Sequence, residues 1–143
     1  MQALEATGLK SLEGKTVIDI TNPLSHEPPV NGVLKLSTAS NTSLMEELQL
    51  LVPRAKFVKA FNTVGNTQMY KPSYKRRKAV HVYMRERCGS QKTGDENSGH
   101  FRMGNGRDMG SVEAARAIEP LCVLWCIPGF LRNQWTHAFK LLK

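Results

Sequence analysis

Thr16-Val17-Ile18-Asp19-Ile20-Thr21, followed at once by Asn22-Pro23, is the stretch on which the fold turns. It is short, rich in β-branched residues and almost continuously apolar, as a strand buried on both faces of a parallel sheet is. Pro23 has no N–H to give to a ladder and ends it. Further on, Lys56-Phe57-Val58-Lys59-Ala60-Phe61 has the same character and runs into Asn62-Thr63-Val64-Gly65. Between the two, Ser43 and Glu46 fit a capping box. Leu44, Leu48, Leu51 and Val52 then make an amphipathic stripe that Pro53 stops. Strand, helix, strand with short links predicts neighbouring parallel strands over 16–23 and 57–63, with their ends at one cleft.

Upstream, residues 1–12 read as the tail of a helix, and Gly14-Lys15 turns the chain. Residues 26–40, with Pro28, Pro29 and Gly32, read as loop with a short strand from Val33 to Leu36. Downstream, Ser111 is placed to cap a helix whose stripe is Val112, Ala115, Ile118, Cys122 and Trp125. Pro120 is expected to kink this helix and Pro128-Gly129 to break it. A further helix is expected over 131–143, with Trp135, Phe139 and Leu142 on one side. Three zones result: 1–70, alternating helix and strand; 71–107, irregular and basic; 108–143, helical. The class is α/β, a partial parallel sheet followed by C-terminal helices.

The chain has 143 residues, one ordinary domain, with 41% hydrophobic and 22% charged residues. No apolar run approaches the ~20 residues a membrane helix needs, and the first fifteen residues do not read as a secretory signal. The expected location is cytoplasmic, with no membrane partner. Cys88, Cys122 and Cys126 form an odd set without a CxxC pair and read as reduced thiols. The net charge of +8 is concentrated. Residues 71–107 hold ten Lys/Arg against three Asp/Glu, and the rest of the chain ten against nine. A basic nucleic-acid-binding module centred on 75–107, with Tyr74, Tyr83 and Phe101 to stack on bases, is therefore the alternative functional class. The location of the charge makes nucleic acid the less favoured partner.

The candidate site is the pair of strand ends. Ligands of open α/β sheets bind beyond the carboxyl ends of the strands, where Asn and Thr can orient an amide or phosphate and Gly65 permits close backbone approach. The same residues are also ordinary turn residues. Asp19 reads as a structural hydrogen-bonding group, Cys122 and Cys126 as core, and His26 and His137 as surface or packing residues. No residue reads as catalytic or as a metal ligand.

The string from Gly14 to Leu24, GKTVIDITNPL, resembles the last part of the dinucleotide domain of NADP reductases that use the deazaflavin coenzyme F-420. Val58-Lys59-Ala60-Phe61-Asn62-Thr63-Val64 resembles the next signature of that family, which the STEAP metalloreductase domain shares. Glu113-Ala114-Ala115-Arg116 with Glu119-Pro120-Leu121 resembles the opening of its C-terminal helix. The resemblance implies a Rossmann-like fold: 1–70 as the C-terminal part of a dinucleotide-binding domain, 71–107 as an irregular basic segment, and 108–143 as a C-terminal helical segment. It implies hydride transfer between NADP and a deazaflavin or flavin-like partner, with Asn22, Pro23, Phe61, Asn62 and Thr63 beside the nicotinamide.

Two departures qualify that implication. No GxGxxG follows a strand in this chain, and Gly104-Asn105-Gly106 opens no helix. The backbone N–H groups and helix N-terminus that would hold a pyrophosphate are therefore lacking. The expected entity is a fragment of the enzyme, impaired or inactive, with an exposed strand edge that favours a homodimer. Residues 75–107 also lack the resemblance that both flanks show. One possible coding of Arg76–Arg87, read one base later, gives Gly-Gly-Lys-Pro-Ser-Met-Phe-Ile-Cys-Gly-Asn, which is close to the family. A translated frameshift over 75–107 and a genuine basic segment are the two readings.

Overall fold

The computed structural model describes residue 6, residues 8–70, the backbone of 81–85 and 106–108, and residues 109–139. Its order is β1 (Thr16–Asp19), α1 (Leu44–Leu51), β2 (Lys56–Lys59), β3 (His81–Arg85), β4 (Gly106–Asp108) and α2 (Ala115–Arg132). Short 3-10 turns sit at Leu9–Leu12, Asn66–Gln68 and Val112–Ala114. The four strands form one sheet in sequence order. β1 and β2 run parallel, in register from Thr16 opposite Lys56 to Asp19 opposite Lys59. β3 is antiparallel to β2, and β4 parallel to β3. The class is α/β, as the two strand strings predict.

The strands are shorter than the strings suggest. β1 ends at Asp19 and β2 at Lys59, not at 23 and 63; the Ala60 N–H still reaches the Asp19 carbonyl at 3.1 Å. Beyond that point Phe61 adopts a left-handed backbone (φ 63°), which a strand cannot hold. The expected strand at 33–36 is reduced to isolated bridges, Val30 with Val33 and Leu24 with Leu36. β3 lies inside the stretch read as irregular, and β4 straddles its end. Val80-His81-Val82-Tyr83 has the β-branched and aromatic content a strand uses. Residues 71–80 and 86–105, with the basic run and Cys88, lie outside the described residues, as do 140–143.

α1 begins where the capping signal places it. The Ser43 hydroxyl accepts from the Glu46 N–H (3.2 Å) and donates to the Glu46 carboxylate (2.7 Å). Its buried face is Met45, Leu48 and Val52; Leu51, expected inward, is exposed. These residues pack with Ala55 and Phe57 of the second strand segment and with Ala115 and Ile118 of α2. Burying a side chain such as Phe57 contributes on the order of 2 kcal/mol. α1 and α2 thus join the same core cluster beside β2.

α2 departs most from expectation. It runs unbroken through Pro120 and Pro128, where a kink and a break were predicted. The carbonyls that these prolines cannot bond belong to Arg116 and Leu124, both exposed residues, so water can serve them. The helix ends at Asn133, which is left-handed (φ 51°) and donates its N–H to the Gly129 carbonyl at 2.8 Å. No helix resumes over 133–139. The chain instead doubles back, and Ala138 bridges Val64. Val112–Arg132 is also long and apolar enough to cross a membrane by length and composition (mean hydropathy 1.4). That corrects the expectation of no such run. Seven residues of α2, among them Ala115, Ile118, Glu119 and Trp125, are buried inside the protein.

Candidate functional site

The parallel register carries the ends of β1 and β2 to one edge, and Asn22 and Asn62 meet there. The Asn62 side-chain N–H donates to the Ile118 carbonyl at 2.8 Å and points to the Asn22 amide oxygen at 3.4 Å. Asn62 and Thr63 are buried, Pro23 is buried, and Asn22 and Phe61 are half-buried. The five residues singled out in sequence therefore lie on the two loops at this edge. The left-handed Phe61 costs on the order of 1 kcal/mol, since its Cβ crowds the backbone there. Asn62 Oδ1 is buried with no hydrogen-bond partner. Turning the amide over would set two acceptors, Oδ1 and the Ile118 carbonyl, against each other, so the orphan is an acceptor.

Beneath the loops lies a charged cluster. Lys59, fully buried, donates to Asp19 Oδ2 at 2.7 Å and to Glu119 Oε1 at 2.8 Å. Asp19 Oδ1 also accepts from the Thr21 N–H (2.9 Å) and hydroxyl (2.6 Å). The Glu119 carboxylate accepts from the Leu44 and Met45 N–H groups at 2.9 and 3.1 Å. The open N–H groups of α1 are thus met by Ser43 and Glu119, and the helix dipole favours the carboxylate there. Asp19 is structural, as the sequence suggested. Glu119 and Lys59 were missed as a pair. The signal for Glu119 was present: a carboxylate four residues after Ala115, within an otherwise apolar stripe. Lys59 and Asp19 are closed off from solvent, and Glu119 borders the neighbouring cavity.

Beside this edge, a cavity of about 290 Å³ is lined by Leu36, residues 38–42, Arg116, Glu119 and Pro120. Ser37 ties its wall to the site by donating to the Pro23 carbonyl at 3.1 Å. Arg116 leans outward and grips Glu46, with Nε at 3.0 Å from both carboxylate oxygens.

The remaining candidates are packing or surface residues. Cys122 and Cys126 are free, buried thiols. Burial, with the neighbouring Cys126 second, pushes Cys122 up to about 12, which leaves it inert. His26 is exposed, and His137 stacks on Trp125 at 4.9 Å. No group of three metal-ligating side chains occurs among the described residues.

No protein-family model matches the chain, and no curated protein matches it. Among solved structures, it is similar to a protein from Arthrobacter sp. FB24 described as a putative F420-dependent NADP-reductase. The TM-score is 0.75 and the identity 26%. The match covers 99% of this chain and 64% of that one, so the chain spans less than two thirds of the protein it resembles. The likeness agrees with the family to which the sequence strings pointed.

Proposed function

We propose that the chain is part of an NADP-dependent oxidoreductase of the coenzyme F-420-dependent kind, in which Asn22, Pro23, Phe61, Asn62 and Thr63 form the nicotinamide end of the cleft. The observation that carries this is Asn62 Oδ1, a buried acceptor without a donor at the carboxyl edge of a parallel pair. A nicotinamide carboxamide offers an N–H of the kind that this oxygen lacks. A buried polar atom left unpaired costs about 1–3 kcal/mol, so a ligand that pairs it gains that much in selectivity. When bound, the nicotinamide supplies the hydride chemistry with a deazaflavin or flavin-like partner. The protein's part is to hold the ring amide at Asn62, to keep the loop rigid from below through Lys59, and to offer the neighbouring cavity to the partner. No side-chain acid or base is required. The expected setting is cytoplasmic.

The fit is to one end of the dinucleotide only, because the sequence has no glycine-rich loop after a strand. Binding of NADPH to this chain is therefore expected to be weak. Tryptophan fluorescence of Trp125 and Trp135 should show no saturation at micromolar concentration, that is, less than about 8 kcal/mol of binding. In ¹⁵N spectra at millimolar NADPH, the side-chain amides of Asn22 and Asn62 should shift first. Shifts confined to other residues overturn the site, and micromolar saturation overturns the incomplete grip.

A further inference from the structure

The segment after α2 is held at two ring contacts. Trp135 lies on Gly129 so closely that a Cβ there would meet the indole at 2.3 Å, and its ring meets Phe130 edge-on at 5.3 Å. Asn133 Oδ1 accepts from the Trp135 indole N–H at 2.9 Å, which fixes the ring's direction. Two residues on, His137 and Trp125 exchange hydrogen bonds. The Trp125 indole donates to the His137 carbonyl (2.8 Å), and the His137 Nε2–H donates to the Trp125 carbonyl (2.9 Å).

This doubled-back segment then touches the site loop in two places. Ala138 bridges Val64. Gly65 fits between the Trp125 ring and the Trp135 carbonyl oxygen, and a Cβ on it would meet each at 3.3 Å. On its other side, the loop begins with the left-handed Phe61 and the buried Asn62. A strained backbone persists only where its surroundings over-determine it. β2 ends at Lys59; beyond Phe61 the loop is held at Asn62 by Asn22 and the Ile118 carbonyl, and at Val64 and Gly65 by Trp125 and residues 133–139.

We propose that residues 133–139 are a strap, seated by Trp135 on Gly129 and by His137 on Trp125, that sets the conformation of the Phe61–Gly65 loop and so presents Asn62. The orientation of the site is then controlled from the C-terminal side of the chain. α1 and β2, whose core does not include the strap, are independent of it.

Amide hydrogen exchange on the full chain tests this without any ligand, so the result stands apart from the cofactor proposal. In Gly129→Ala the new methyl occupies the indole's place. Exchange at residues 63–66 should rise roughly tenfold or more, with α1 and β2 unchanged. Trp135→Phe, which keeps a ring on Gly129, should stay close to the parent. Should Gly129→Ala not fold, Trp135→Ala unseats the strap with the helix untouched, and the same rise is expected. Unchanged exchange at 63–66 in a variant whose tryptophan emission shows the strap released overturns the proposal. An equal loss of protection in α1 and β2 overturns it as well.

Discussion

Two ion-pair clusters join the start of α1 to α2, and they sit in opposite environments. In one, Lys59 and its partners Asp19 and Glu119 have side chains 0–4% exposed. In the other, Arg116 holds Glu46 with its own side chain 45% exposed. The geometry is similar and the chemistry is not. A buried charge must be paired, because removing its partner strands it in a poor solvent. A surface pair competes with water and salt, and holding two long side chains together costs entropy. The inner cluster is therefore a structural condition of the site, and the outer pair an adjustment at its rim.

The largest expected effect is at Lys59. Lys59→Met leaves Asp19 and Glu119 facing each other unpaired, with a cost of about 3–5 kcal/mol. Whole-domain stabilities are about 5–15 kcal/mol, so a urea melt should show its midpoint lowered by roughly a fifth or more. A loss under about 1 kcal/mol would mean that the cluster is wetter than its burial indicates. Glu119→Gln should cost less, about 1.5–3 kcal/mol, since Lys59 keeps Asp19 and the amide oxygen can still accept one N–H of α1. If Glu119→Gln proves worse than Lys59→Met, the helix start rather than the ion pair is what Glu119 serves. Next comes Ser43→Ala, which removes the N-cap and should cost about 1 kcal/mol, read from the same melts.

How much of this could be read in the sequence follows from what each residue depends on. The β1 and β2 strings, the Ser43 cap and the Asn22–Asn62 edge are local patterns or follow from one crossover, and the structure shows them. The α2 stripe was also legible, except that Glu119 lies in it. Its partner Lys59 is far away in sequence, and pairing at that distance leaves no local periodicity. The unbroken α2 departs from the local rule that Pro120 and Pro128 interrupt a helix. Which side of the helix faces water decides their cost, and that is set by tertiary packing. The doubling back at Asn133 was hidden for the same reason: the groove at Gly129 that takes Trp135 exists only once the helix is formed. Phe61 shows the opposite lesson, since its left-handed backbone breaks a favourable strand pattern at the site itself.

The smallest effect belongs to the outer pair, and pH isolates it. Arg116 beside Glu46, with Ser43 adding a hydrogen bond, holds the Glu46 carboxyl below its usual 4.5 against an opposing push from partial burial. A carboxyl whose folded value is lowered binds its proton more readily when the chain is unfolded. The stability that it contributes is present above 4.5 and is lost as the pH falls through the lowered folded value. Glu46→Gln should therefore differ from the parent at neutral pH and converge with it in acid. The difference should be smaller than that of Ser43→Ala, and it should shrink in high salt because the pair is open to solvent. Urea melts of parent and variant at pH 7 and pH 3, each at low and high salt, check all three directions. A difference that survives both acid and salt would come from the Ser43–Glu46 cap alone, and the rim pair would then contribute nothing measurable.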